Sequence, residues 1–289
     1  MGGSAAVFGK VGIGTSSTVD TALEVLSCSL RKQGQILEHE GIRGTRSRQS
    51  ERAAPGTYSI SGQIVCQPCP EELASILTWS GFSVASTTYS LTETLTSRYV
   101  DVYTGADKGL YGGVYVNRIT LSSSENSPLT CTLDLVGQTE TRSTSSFPAV
   151  TYTNSRPFMH HEVTGTFVSS SRAVKSVNVT IDNALIVAFN ASQSANAIFP
   201  GNRNVAVSYT TPWTSAETDM YGQSVAGSAA TIAYAYGGYS LSMAFAALQV
   251  PDSGPVISRI GSEIVGEFSG MARKSGSTAE LIITLDSTP

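Results

Sequence analysis

Charge is scarce in this sequence. Asp, Glu, Lys and Arg make up 14% of the 289 residues, against about 25% in an average domain. A monomer normally covers itself with charged side chains; here Ser, Thr, Gly, Asn and Gln take that place. Uncharged polar surface costs less to desolvate, which suits a protein buried against copies of itself, although a secreted β-protein shows the same statistics. A basic excess is also missing. The formal charge is −4, whereas tight binding of duplex DNA needs a basic surface to match about one negative charge per 1.7 Å of axis. Mild acidity is compatible with DNA passing nearby without being held. No stretch approaches the roughly 18 apolar residues of a membrane helix. The opening residues, Met1 to Val25, have no sustained apolar core and no basic cluster, which argues against a signal peptide. Met1-Gly2 begins like a myristoylation site, but Ala6 stands where Ser or Thr is required. The four cysteines are irregularly spaced and make no secreted disulfide framework, so the expectation is assembly in a reducing cytoplasm.

What the sequence does contain is strands. Tyr58–Cys66 and Leu129–Leu135 alternate large and small polar side chains. The same period recurs at Val177–Ile181, Val205–Tyr209, Leu241–Phe245 and Leu281–Leu285. Period two means one buried and one polar face, the signature of antiparallel sheet. Two short helices interrupt the strands. Pro70–Leu77 opens with proline and two acids in its first turn, and Thr214-Ser215-Ala216-Glu217 is a capping box leading to a stop at Gly227. The two halves follow one itinerary. Leu26–Leu30, a long loop, a strand over 57–66 and the first helix are matched by Val177–Ile181, another loop, a strand over 204–210 and the second helix. Groups of strands follow each helix and end in long ones at 129–137 and 281–286. This repeat of pattern, not of residue identity, predicts a duplicated unit, with the Ser/Thr-rich stretch Thr141–Tyr152 as the junction.

Catalytic and metal-binding motifs weigh little. Cys66-Gln67-Pro68-Cys69 at a helix start has the spacing of a thiol oxidoreductase, but the βαβ setting of that chemistry is missing. Cys28 and Cys131 stand alone, so no second pair completes a zinc site. His160-His161-Glu162 resembles part of a metal site, yet adjacent residues on a strand point to opposite faces. Gly12-Ile13-Gly14-Thr15 lacks both the dinucleotide and the phosphate-loop pattern, and no G-x-S-x-G elbow occurs. No catalytic residue, cofactor or metal is expected. The dense charge cluster is Glu38, Glu40, Arg43, Arg46, Arg48, Glu51 and Arg52, in a loop over 38–56 that carries four of the eighteen basic residues. Arg forks there could pair with carboxylates or carbonyls of a neighbouring molecule.

Several stretches, in order along the chain, are similar to one known family. They include Gly41–Arg48, Gly62–Ile64 running into Pro68–Leu73, Tyr89–Leu95, Val116–Ile119, Leu133–Glu140, Thr180–Leu185, Ala272–Ser277 and Leu281–Ser287. Together they resemble the tail tube proteins of tailed bacteriophages, in the longer form with two tube domains in tandem. The resemblance implies a mainly β fold of two β-sandwich or half-barrel domains, 1–150 and 151–289, each with one short flanking α-helix. It implies a structural virion protein, not an enzyme, that forms homotrimeric pseudo-hexameric rings stacked helically into a hollow tube. It further implies that other tail proteins (tape measure, distal tail and terminator proteins) sit at the tube ends, and that genomic DNA passes the lumen without specific binding. The loop over 38–56 becomes the contact between subunits or rings. The matching loop, Phe189–Asn204, lacks the arginines. Lumen-facing positions are expected to be acidic or uncharged. The competing readings are another virion or surface β-sandwich, such as a decoration or adhesin domain, and a thiol oxidoreductase using Cys66 and Cys69.

Overall fold

The structure is a computed structural model that describes residues 9–39, 41, 47–48, 50–220, 227–252, 254–255 and 263–288. The alternating segments form strands, as their period requires. The first half runs β1 (Lys10–Gly14), β2 (Thr21–Leu23), β3 (Val25–Cys28), β4 (Arg31–Glu38), β5 (Ala53–Cys66), α1 (Pro70–Trp79), β6 (Phe82–Ala85), β7 (Thr88–Leu91), β8 (Arg98–Tyr103), β9 (Lys108–Ser124), β10 (Thr130–Gly137) and β11 (Thr139–Ser143). The second runs β12 (Val163–Phe167), β13 (Ser170–Arg172), β14 (Ser176–Asp182), β15 (Ile186–Ala188), β16 (Ala197–Phe199), β17 (Asn204–Pro212), β18 (Ser228–Tyr236), β19 (Tyr239–Gln249), β20 (Val265–Arg273) and β21 (Leu281–Asp286).

One graph of antiparallel pairings occurs twice. In the first half β1 pairs with β2 and β8, β8 with β9, β9 with β10 and β11, β10 with β5, and β5 with β3 and β4. In the second, β12 pairs with β13 and β18, β18 with β19, β19 with β20 and β21, β20 with β17, and β17 with β14. The counterpart of β10 is therefore β20, and that of β11 is β21. Matching the segment 129–137 to 281–286, as the sequence pattern suggests, mispairs them, because alternation cannot say which edge a strand joins. In the first half the long strand β9 serves two sheets. β9 leaves the β8–β11 sheet for the β10 sheet at Gly113, whose φ of +62° favours glycine and whose added Cβ would lie 2.2 Å from Gln138 Oε1.

The two halves share a seam. The second half of β9 pairs with β14 over seven residues, from Asp182 opposite Arg118 to Ser176 opposite Ser124. A second join pairs β21 with β7, placing Ile283 opposite Tyr89. The core passes through the seam without interruption. Ile119, Leu121, Leu133, Val179, Ile181 and Val207 all have exposures of 1% or less and belong to one cluster. Each such side chain contributes about 1.5–3 kcal/mol by leaving water. The connector between β11 and β12 is pinned back on the body. Leu129 N–H donates to Phe158 O at 2.7 Å and His160 N–H to Ser127 O at 3.0 Å, with the Phe158 ring fully buried.

Helix α1 forms where the proline and acids placed it and extends to Trp79. Leu73, Ile76 and Leu77, spaced as one helical face, are fully buried. Trp79 Nε1 donates to Val114 O at 2.9 Å, so its polar atom is satisfied in the core. The second expected α-helix is instead a 3-10 turn, Ser215–Met220, and residues 221–226 lie outside the described ones. One half of its capping box forms: Thr214 N–H donates to Glu217 Oε2 at 2.6 Å, while Glu217 N–H donates to Thr214 O at 3.2 Å. Among the described side chains of this turn, Glu217 is the buried one.

Candidate assembly surfaces

Three surfaces stand out: an unpaired sheet edge, a broad polar sheet face and two loops. The edge is the outer side of β3 and β4, where no strand pairs among the described residues. Every residue of β4 is exposed. Leu26, Ile36 and Leu37 are 62%, 74% and 56% exposed on or beside it. An open edge with apolar side chains and free backbone groups is a template for pairing with another chain. The opposite margin is built differently. There β20 has no partner beside Val265–Gly270 among the described residues, and β19, which pairs with its end, stops at Gln249, two residues before Pro251, where proline cannot donate to a ladder.

The polar face arises from the other side of the alternation. Ser61 and Gln63 of β5, Thr132 and Asp134 of β10, Arg118, Thr120 and Ser122 of β9, Asn178, Thr180 and Asp182 of β14, and Ser208 and Thr210 of β17 point away from the core. They continue across the seam without a step. The face is concave around Ser122, Ser124, Asn178, Ser208 and Glu267, enclosing about 840 Å³. Its central cation is paired twice: Arg118 Nη2 lies 2.6 Å from Asp182 Oδ2, and Nη1 lies 3.9 Å from Asp134 Oδ2. The Asp182 hydrogen bond and charge hold the Arg118 pKa above its ordinary value. Arg31, opposite Ser61, and Arg273 at the end of β20 are further cations on this face.

Of the charged loop, Glu38 ends β4, Glu51 and Arg52 lie in a 3-10 turn at Ser50–Arg52, and Glu38 forms an ion pair with Arg48. Arg52 contacts His39. Glu40, Arg43 and Arg46 lie outside the described residues. The loop is shorter than 38–56, since β5 begins at Ala53 and not at 57. The second loop is itself a hairpin, β15 with β16, setting exposed Ile186 opposite exposed Phe199.

The residues weighed for chemistry do not converge. Cys66 and Cys69 are buried, and burial raises the Cys69 pKa to about 11, which leaves on the order of a hundredfold less thiolate than an ordinary cysteine has. Cys66 instead faces Cys131 across β5 and β10. His161 is exposed while His160 is buried. The His160 ring is held by a chain of hydrogen bonds that sequence reasoning missed. Nε2 donates to Val174 O at 2.9 Å, and in the neutral ring Nδ1 accepts from Ser123 Oγ at 2.8 Å. Ser123 Oγ in turn lies 2.8 Å from the Tyr234 hydroxyl. With Ser123 and His160 each 5% exposed, this pair ties β9, the connector and β18 together. No group of three or more His, Cys, Asp or Glu residues that could hold a metal occurs among the described residues, and no described helix is long and apolar enough to cross a membrane.

Two comparisons bear on these surfaces. No curated protein matches the sequence. One family model does, over residues 5–281, and its description is phage tail tube protein.

Proposed function

Because the chain belongs to the phage tail tube protein family, and is therefore a structural protein of the virion tail, we propose that it polymerises as stacked rings that form the hollow tube for DNA ejection. The observation that carries this reading is the seam. Within one chain, β9 of the first pairing graph is sealed edge to edge by β14 of the second. A ring needs the same kind of joint repeated around an axis. On this reading residues 1–150 and 151–289 are two copies of a tube domain, and three chains complete a pseudo-sixfold ring. The open β3–β4 edge then meets the far margin of the next chain, which removes its apolar side chains from water. The charged loop, with Glu38, Glu40, Arg43, Arg46, Arg48, Glu51 and Arg52, contacts other copies, and the tube ends contact other tail proteins. No catalytic role is assigned.

The test is imaging of the purified protein by negative stain. Open-ended tubes of stacked rings with threefold end views are expected. A stable monomer at micromolar concentration, with no tubes in any condition, sinks the proposal.

The polar face is proposed to line the channel. Ser, Thr and Asn rows offer few fixed charges to phosphate, and Asp134 and Asp182 keep Arg118 occupied. Replacing both acids (D134N/D182N) frees that cation while changing stability by no more than about 1 kcal/mol, since all three side chains are partly exposed. Tubes of the variant should retain several-fold more DNA at low salt, with the excess lost as salt rises. Unchanged retention in sedimentation assays moves the face off the channel.

A further inference from the structure

Cys66 and Cys131 stand directly opposite each other on the core face of β5 and β10, and both are free thiols. Opposed Cα atoms in an antiparallel pair are about 4.5–5.5 Å apart, inside the span of about 4.4–6.8 Å that a disulfide bridges. The side chains already lean together. Cys66 Sγ donates to Cys131 O at 3.7 Å, and the two thiols are in hydrogen-bond contact. The other two cysteines are placed elsewhere. Cys69 Sγ lies 2.6 Å from Thr153 Oγ1 of the connector, and Cys28 of β3 lies opposite Ile64.

The pair occupies the last rung of its ladder. The β5–β10 register runs from Gly137 opposite Ile60 to Cys131 opposite Cys66, and β5 ends there, just ahead of Pro68, which has no N–H to extend the pairing. A terminal rung opens at far smaller cost than the sheet as a whole, so a small molecule gains access without unfolding of the domain. The rung also belongs to a row that crosses the seam. Cys131 is opposite Leu121 on β9, and Leu121 is opposite Val179 on β14. A bond between the cysteines fastens β5 to β10, the strand beside β9.

We propose that Cys66 and Cys131 are a latent disulfide, reduced while the chain is made and closed by a peroxide-class oxidant once the virion is outside the cell. Virions, unlike the cytoplasm, are a setting in which disulfides form and persist. The proposal rests on membership of the virion tail family and not on the stacked-ring reading. The chemistry balances in two steps. The Cys66 thiolate attacks one oxygen of hydrogen peroxide, the O–O bond breaks, and hydroxide leaves to take up the thiol proton as water; a sulfenic acid remains. The Cys131 sulfur then attacks that sulfenic sulfur, and its proton departs with the hydroxyl as a second water. Two thiols are oxidised by two electrons, and one peroxide is reduced. Contact with the Cys66 thiol and burial hold the Cys131 pKa well above its ordinary value, which makes Cys131 the resolving thiol and the closure slow.

The test uses a C28S/C69S chain, in which the pair holds the only thiols. The folded protein is exposed to dilute hydrogen peroxide at neutral pH and then denatured in an alkylating reagent. Most chains should have lost the mass of two hydrogen atoms and should take up no alkyl group. Digestion should give a linked peptide pair joining Cys66 to Cys131, in this chain and in the wild type. The melting midpoint should rise by about 5 °C or more and return on reduction with dithiothreitol. Two alkylated thiols after prolonged oxidation, closure only in denaturant, or a Cys66–Cys69 bond in the wild-type chain overturns the inference. Should C28S/C69S fail to fold, the wild-type peptide map decides alone. Absence of tubes in the same samples counts against the ring reading and not against the disulfide.

Discussion

Replacing Val179 by Asp should destabilise the chain by about 4 kcal/mol or more and abolish assembly, whereas Asn178→Asp next to it should change stability by no more than about 0.5 kcal/mol. The two positions lie side by side on β14 and point to opposite faces. Val179 is fully buried between its register partners Leu121 on β9 and Val207 on β17, both also buried. A carboxylate there has no hydrogen-bond donor to meet it and interrupts the core at the seam. Asn178 is exposed, flanked by Ser122 and Ser208. Denaturant midpoints of the two variants, with tube formation scored by microscopy, make the comparison. Equal midpoints contradict a core that continues through the seam.

The second large effect is expected at Arg172. Its side chain is 2% exposed, and Nη1 lies 3.2 Å from Glu217 Oε1, itself 5% exposed. Asp219 offers a second, more distant carboxylate at 3.7 Å. Glu217→Ala strands a buried guanidinium and removes the cap on Thr214, so a loss of about 3–5 kcal/mol is expected, nearer 3 because Asp219 partly compensates. Replacing both partners by Met should recover much of the loss, since desolvating the pair offsets most of its attraction. The pH dependence has a definite sign. Burial alone raises the Glu217 pKa, but hydrogen bonds from Thr214 and Arg172 outweigh it and hold the group below its ordinary value. Its contribution is therefore full above the normal carboxylate range and is lost as pH falls through the lowered value. The Ala variant should lack that acid-sensitive component. A loss under about 1 kcal/mol for Glu217→Ala indicates that Arg172 finds water in solution.

Much of this fold is readable because burial on one side writes a period of two into the sequence. Tyr58–Cys66, Val177–Ile181 and Leu281–Leu285 all lie in strands of the structure. Helix α1 is readable because Pro70, Glu71 and Leu73, Ile76 and Leu77 combine a start signal with an apolar face. The capping box at Thr214 carries the start signal alone, and the described residues after it form a 3-10 turn. Edges are not readable. Nothing in the letters of β9 distinguishes a strand that pairs with β14 from one that ends a sheet, and so the pattern matches β10 to the wrong partner. The candidate contact surface is half visible. Arginine clustering points to the loop, but the apolar side chains of the edge, Leu26, Ile36 and Leu37, look like core residues until their exposure is known. The buried Ser123–His160–Tyr234 chain joins residues distant in sequence and leaves no local signal.

The pinned connector has a consequence for dilution. Because Phe158 and His160 are fastened beside the β9–β10 turn, β14 is held near β9 at an effective concentration on the order of millimolar or higher, whatever the amount of protein in solution. Joints between separate molecules follow mass action; this one does not. Diluted to the point of dissociation, the proposed ring should therefore come apart into whole polypeptides with β9 and β14 still zipped, and exchange of half-chains between molecules should be rare.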